Sequence, residues 1–118
     1  LKSLRGKYVI IDFWGTWCIP CLNGMPAMRK FRDKYKGKVK ILGIAKDGNI
    51  EGWKREIIAS GLNWFHILNG VGDKDFVARF NVQGYPTKIV IDPDGKIIYR
   101  STGESENFYT DISKLIVN

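Results

Sequence analysis

The chain has 118 residues, 44% of them hydrophobic and 13% aromatic, which is enough apolar area for one core and one domain spanning 1–118. Its formal charge is +7, yet no RNA- or DNA-binding signature accompanies the basic cluster of Arg29, Lys30, Arg32, Lys34, Lys36, Lys38 and Lys40, so nucleic acid is not expected as a partner. No run approaches the roughly 20 apolar residues of a membrane span, and the first residues lack the apolar centre of a signal peptide.

The run Tyr8–Trp14 is β-branched and aromatic almost throughout and reads as a strand covered on both faces, interrupted chemically by Asp12. Gly15 and Thr16 break it. A helix is predicted over 18–35, with Met25, Met28, Phe31 and Tyr35 at helical spacing and a kink at Pro26. The basic cluster falls at the end of this helix and in the following turn, where cations complement the helix dipole and face water. Val39–Ala45 reads as a second buried strand. Asn49 is placed to cap a helix whose apolar stripe is Ile50, Trp53, Ile57 and Ile58, and Gly61 ends it. Strand, helix and strand in this order imply parallel pairing and α/β architecture.

The segment 62–72 yields only a short extended piece at Phe65–Leu68, and 75–80 reads as one or two helical turns. Thr87–Ile91 and 96–100 alternate around Asp92-Pro93-Asp94-Gly95, which predicts a β-hairpin. Ser105 is placed to cap a last helix with Phe108, Ile112, Leu115 and Ile116 on its buried stripe. The chain starts without methionine a few residues ahead of its first strand, and is read as a mature fragment or an excised domain.

Two cysteines three positions apart close too short a ring to stabilise a fold by loop closure, so a reactive pair is the stronger reading of Cys18 and Cys21. A cysteine in the first turn of a helix sits among unpaired backbone N–H groups, which favours its thiolate; Cys21 follows one turn later on the same side. Pro20 costs little there, because an N–H in the first turn has no helical partner. A zinc site would call for four ligands, and the chain offers these two thiols and a distant His66, read as having no catalytic role. Two thiolates could also carry a soft metal such as Cu(I), and an inert interaction module is a third reading. Retention of stoichiometric Cu(I), or failure to reduce insulin, would mark these two. Asp12 needs a reason of its own, since burying an unpaired charge is costly.

The run Ile11-Asp12-Phe13-Trp14-Gly15-Thr16-Trp17-Cys18-Ile19-Pro20-Cys21 resembles the active-site run of the thioredoxin superfamily. The segment Phe80-Asn81-Val82-Gln83-Gly84-Tyr85-Pro86-Thr87 resembles the family's second motif, which ends in a cis-proline. The long segment between the second strand and this motif, together with Ile91-Asp92-Pro93-Asp94-Gly95-Lys96-Ile97, is similar to the extracytoplasmic TlpA and ResA group.

This resemblance implies a thioredoxin-like α/β fold, a central mixed β-sheet with helices on both faces and four main strands ordered second, first, third, fourth. It implies that Cys18 attacks partner disulfides, Cys21 resolves the mixed disulfide, and Asp12 is the buried acid that handles the proton of Cys21. Trp17, Ile19, Pro20, Tyr85 and Pro86 would form the substrate-binding surface. The expected partners are protein thiols and disulfides and a membrane-bound electron donor. The domain would be a monomer without cofactor or metal, in the periplasm or on an outer membrane face, with cytochrome c maturation among the compatible roles. Three departures from the pattern stand out. Ile19-Pro20 replaces the common Gly-Pro, Gly43 falls where a second-strand lysine often stands near the acid, and an N-terminal strand is missing.

Overall fold

The computed structural model describes residues 6–105 and 107–116; the ends of the expected 1–118 domain lie outside the described residues. β1 (Tyr8–Trp14) is buried at every position after Tyr8 because it is the central strand. It pairs in parallel with β2 (Val39–Ala45) and antiparallel with β4 (Thr87–Ile91). The short piece β3 (Phe65–Leu68) extends the sheet in parallel beside β2, and β5 (Ile97–Thr102) closes the other edge against β4. The order is β3-β2-β1-β4-β5. The four main strands stand as expected, and 65–68 adds a fifth. The hairpin turn is fastened by Asp92, whose Oδ1 accepts from the N–H groups of Asp94 and Lys96 at 3.0 and 2.9 Å.

The single kinked helix expected over 18–35 is two helices, α1 (Ile19–Asn23) and α2 (Met25–Lys34). The break falls at Gly24 rather than at Pro26. Proline has no N–H to give the preceding turn, so the chain restarts the helix where Pro26 sits in its first turn and no donor is required. α3 (Ile50–Ala59) is capped as expected by Asn49, which accepts from Gly52 N at 2.9 Å. Its stripe is narrower than predicted. Trp53 and Ile57 pack inward, whereas Ile50 and Ile58 are 49% and 81% exposed, since Ile58 lies about 100° round the helix from Ile57. α4 (Phe76–Arg79) starts from an Asp75 cap. α5 (Asn107–Leu115) has the Ser105 hydroxyl accepting from Asn107 N at 3.2 Å. Phe108, Ile112 and Ile116 are buried, but Leu115 is not.

One sheet face, with Ile10, Ile41 and Val90, is covered by α2 and α5 through Met28, Phe31, Phe108 and Ile112. The opposite face, with Val9, Ile11, Phe13, Leu42, Ile44 and Ile89, is covered by Val82 and by Phe76, Val77 and Phe80 around α4. Each fully buried aliphatic or Phe side chain contributes about 1.5–3 kcal/mol. A third cluster, of Trp14, Cys18, Cys21, Met25, Ala45 and Leu62, sits at the C-terminal end of β1. Within the basic cluster Lys30, Lys36 and Lys40 are exposed, whereas Arg29 and Arg32 are half-buried. Arg29 donates to Ser60 O and Arg32 to Asn63 O, so both tie α2 to the segment leading into β3.

Candidate active site

The turn after β1 is fixed before it delivers the cysteines. Thr16 donates to Asp47 Oδ2 through both N and Oγ1 at 2.7 Å, and Asn49 N donates to Asp47 Oδ1 at 2.9 Å. Burial alone would raise the Asp47 carboxyl, but these three donors outweigh it and hold the group below its ordinary value. Cys18 then occupies the N-cap of α1 in an extended conformation, its Sγ accepting the Cys21 N–H at 3.2 Å. Cys18 and Cys21 are joined in a disulfide with their Cα atoms 5.2 Å apart. Both are nearly buried, against Trp14 and Met25.

Around this bond the surface is apolar and open. Trp17 and Ile19 are 54% and 63% exposed, and Pro20 is exposed beside them. Trp17 Nε1 donates to Lys46 O at 2.7 Å, which anchors the indole without burying it. Its ring meets Tyr85 edge-on at 5.0 Å. The Tyr85–Pro86 peptide is cis, Tyr85 packs on the cysteine cluster, and Pro86 is buried with its carbonyl accepting from Gly103 N at 2.7 Å. Two sequence motifs nearly sixty residues apart thus form one face.

Beneath it, Asp12 lies two residues before Trp14 on the same face of β1 and is 1% exposed. Burial raises its carboxyl from 3.8 to about 6, opposed by the nearby Lys88 charge and reinforced by that of Glu104. Its Oδ1 has no hydrogen-bond partner among the described residues. In register, Gly43 of β2 stands on one side of Asp12 and Lys88 of β4 on the other. The cation near the acid therefore comes from β4. Lys88 is itself buried and ion-paired with Glu104 at 2.5 Å. Tyr109 completes the group, its hydroxyl pushed up by burial and then by the Glu104 and Asp12 charges.

Of the sequence-derived site residues, Cys18, Cys21, Trp17, Ile19, Pro20, Tyr85 and Pro86 gather at one surface, and Asp12 lies below it. His66 packs against Trp14 and Trp64, with Nε2 donating to Leu62 O at 2.9 Å, and burial pushes its pKa down. Asp47, Lys88, Glu104 and Tyr109 were missed by the sequence reading. Among the described residues no group of three His, Cys, Asp or Glu side chains is placed to hold a metal ion, and no helix is long and apolar enough to cross a membrane.

A dithiol at the start of a helix, a cis-proline loop beside it and this five-stranded sheet define a dithiol protein of thioredoxin fold. The thioredoxin-like family profile matches residues 6–97. The thiol-disulfide oxidoreductase ResA of Bacillus thuringiensis (strain Al Hakam) is 38% identical over 105 residues, which cover 88% of this chain and 60% of that protein. ResA of Bacillus subtilis (strain 168) is 30% identical over 118 residues, with 98% and 65% covered. The chain thus spans less than two thirds of the length of these curated relatives. The crystal structure of the thioredoxin domain of a thiol-disulfide oxidoreductase from Bacteroides vulgatus matches with a TM-score of 0.88 and 29% identity, covering 99% of this chain and 84% of that one. The chain belongs to the thioredoxin-like family, in its group of TlpA/ResA-like thiol-disulfide oxidoreductases.

Proposed function

We propose that this chain reduces disulfides of partner proteins through Cys18 and Cys21. Cys18, as thiolate, attacks a partner disulfide; one partner sulfur leaves as thiolate and the other stays bonded to Cys18. Cys21 gives its proton to the Asp12 carboxylate and attacks Cys18, the bond from Cys18 to the partner breaks, and the partner leaves with two electrons gained. Cys18–Cys21 is then the disulfide. No resident cofactor enters these steps. Trp17, Ile19, Pro20, Tyr85 and Pro86 receive the partner segment, which lies along the Tyr85 backbone as an added strand.

The observation that carries this reading is the position of the bonded pair, at the N-cap of α1 and within an exposed apolar rim. By family resemblance the domain works outside the cytoplasm and is returned to the dithiol by a membrane-bound donor, with cytochrome c maturation among the processes it would serve. The test is the equilibrium of the pair in glutathione and dithiothreitol buffers, read by thiol trapping. A potential near that of thioredoxin, about −270 mV, supports a reductase; one near −120 mV reverses the direction of transfer, and no reversible oxidation discards the reading.

A further inference from the structure

Beside the buried acid stands a lysine that the exchange steps do not use. Lys88 is 2% exposed, and lysines are almost never so deep without a partner. Its ammonium pairs with Glu104 and lies 5.4 Å from the Phe108 ring centroid and 5.9 Å from that of Tyr109. Across the β1–β4 ladder its register partner is Asp12. Two acids and one cation are therefore packed together, and Glu104 is the member that reaches water, its side chain 23% exposed against 3% for Lys88.

Room for Glu104 is made by Gly24, the residue between α1 and α2. A Cβ added there would fall on the Glu104 carboxylate. Gly24 has φ −83°, a conformation open to any residue, so the glycine supplies space rather than backbone freedom. The segment carrying the cysteines is thus shaped around the far end of this charged group.

We propose that Glu104 and Lys88 are positioning residues for Asp12: the pair sets the proton affinity of the buried acid, and through it the rate at which Cys21 is deprotonated. This rests on the exchange reading above. With both acids ionised the trio carries one net negative charge, and a single proton neutralises it, which low-dielectric surroundings favour. Glu104 draws the Lys88 ammonium towards itself and so leaves Asp12 undercompensated, a stronger base than it would be facing Lys88 alone. The two partners act on Asp12 with opposite signs, Lys88 lowering its proton affinity and Glu104 raising it. The other titratable groups around Asp12 are the Tyr109 hydroxyl from α5 and His66 of β3 beyond Gly43, and burial disfavours the charged forms of both.

The test is a carbon-13 carboxyl NMR titration of Asp12 in the oxidised protein. Wild type should titrate near pH 6. Glu104→Gln should move the midpoint down by roughly one pH unit, and Lys88→Met should move it up by a similar amount. Gly24→Ala, which displaces the carboxylate without changing any charge, should move it in the direction of Glu104→Gln. In the reduced protein, the pH profile for release of a mixed disulfide should shift with Asp12, while the profile of the first attack stays put. Unmoved midpoints, or shifts of the same sign in Glu104→Gln and Lys88→Met, overturn the proposal. Should Lys88→Met fail to fold, Glu104→Gln and Gly24→Ala decide it. The Asp12 titration reads the oxidised protein directly, so its outcome is separate from whether the pair exchanges with partner disulfides.

Discussion

Replacing Asp12 with asparagine keeps the shape of the side chain and removes its titration, which isolates what the buried charge costs. The carboxyl binds its proton more tightly in the folded chain, where it titrates at about 6, than in the unfolded chain at 3.8. Its contribution to stability is therefore full below pH 3.8 and is lost as the pH rises through about 6. At about 1.4 kcal/mol per pH unit, the rise from 3.8 to about 6 corresponds to about 3 kcal/mol. The Asp12→Asn protein escapes that loss. Its stability relative to wild type should climb by about 3 kcal/mol between acid and neutral pH, whatever the offset at low pH.

Urea unfolding of the two oxidised proteins across this range gives the difference directly, because all other titrations are shared to first order. With m-values of roughly 1–3 kcal/mol/M, the gap between the midpoints should widen by at least about 1 M. A gap that stays constant with pH would show that Asp12 is not desolvated in the folded protein. A gap that moves against the variant would mean that the Lys88 charge outweighs burial, and the electrostatic account of the site would fail with it.

Trp17→Ala should raise KM for a protein disulfide about tenfold while urea stability changes by less than about 1 kcal/mol, since the ring is 54% exposed beside the cysteines and lies on the surface proposed to receive the partner; an unchanged KM would remove Trp17 from that surface. Gly43→Ala should cost about 1–3 kcal/mol in urea unfolding, because a Cβ there meets His66 Nδ1 at 2.6 Å and Trp14 Nε1 at 3.1 Å, and a variant as stable as wild type would contradict that packing. In the reduced protein, alkylation mapped by mass should show Cys18 ionising at lower pH than Cys21, as its N-cap position requires. Equal values would undo the division of roles between the two thiols.

Much of this site was legible because its parts are local. The cysteines, the proline between them and the strand ahead of them are contiguous, and one rule about helix starts relates them. The cis-proline loop was legible only through family resemblance, since nothing in the local chemistry of Tyr85-Pro86 says that it meets Trp17. The break at Gly24 was misplaced by two residues for a physical reason: the rule that proline disrupts a helix says nothing of whether the chain kinks at the proline or restarts ahead of it. Ile50 and Ile58 share an apolar stripe with Trp53 and Ile57, and Leu115 one with Phe108 and Ile112, yet all three are exposed, because helical spacing gives a stripe but not its width. How much of the stripe is covered depends on neighbours that sequence spacing does not reveal.

Lys88 shows where local reading stops. Thr87-Lys88 at the head of an apolar strand looks like a solvated strand end, and alternation alone would send one of the two outward. Both are buried, at 0% and 2% exposure, because β4 lies between β1 and β5 with helices over its faces. Once the sheet is closed in that order, a lysine facing α5 must either lose its charge or find an acid. Glu104 meets that demand from the β5–α5 connection, sixteen residues away, while Asp12 stands at the register position of Lys88 on the next strand. The same sheet order that puts the dithiol at the end of the central strand thus forces a second carboxylate into reach of the first. Burial raises the proton affinity of the acid below the cysteines, and the charges of Lys88 from β4 and Glu104 from the β5–α5 connection then act on it with opposite signs.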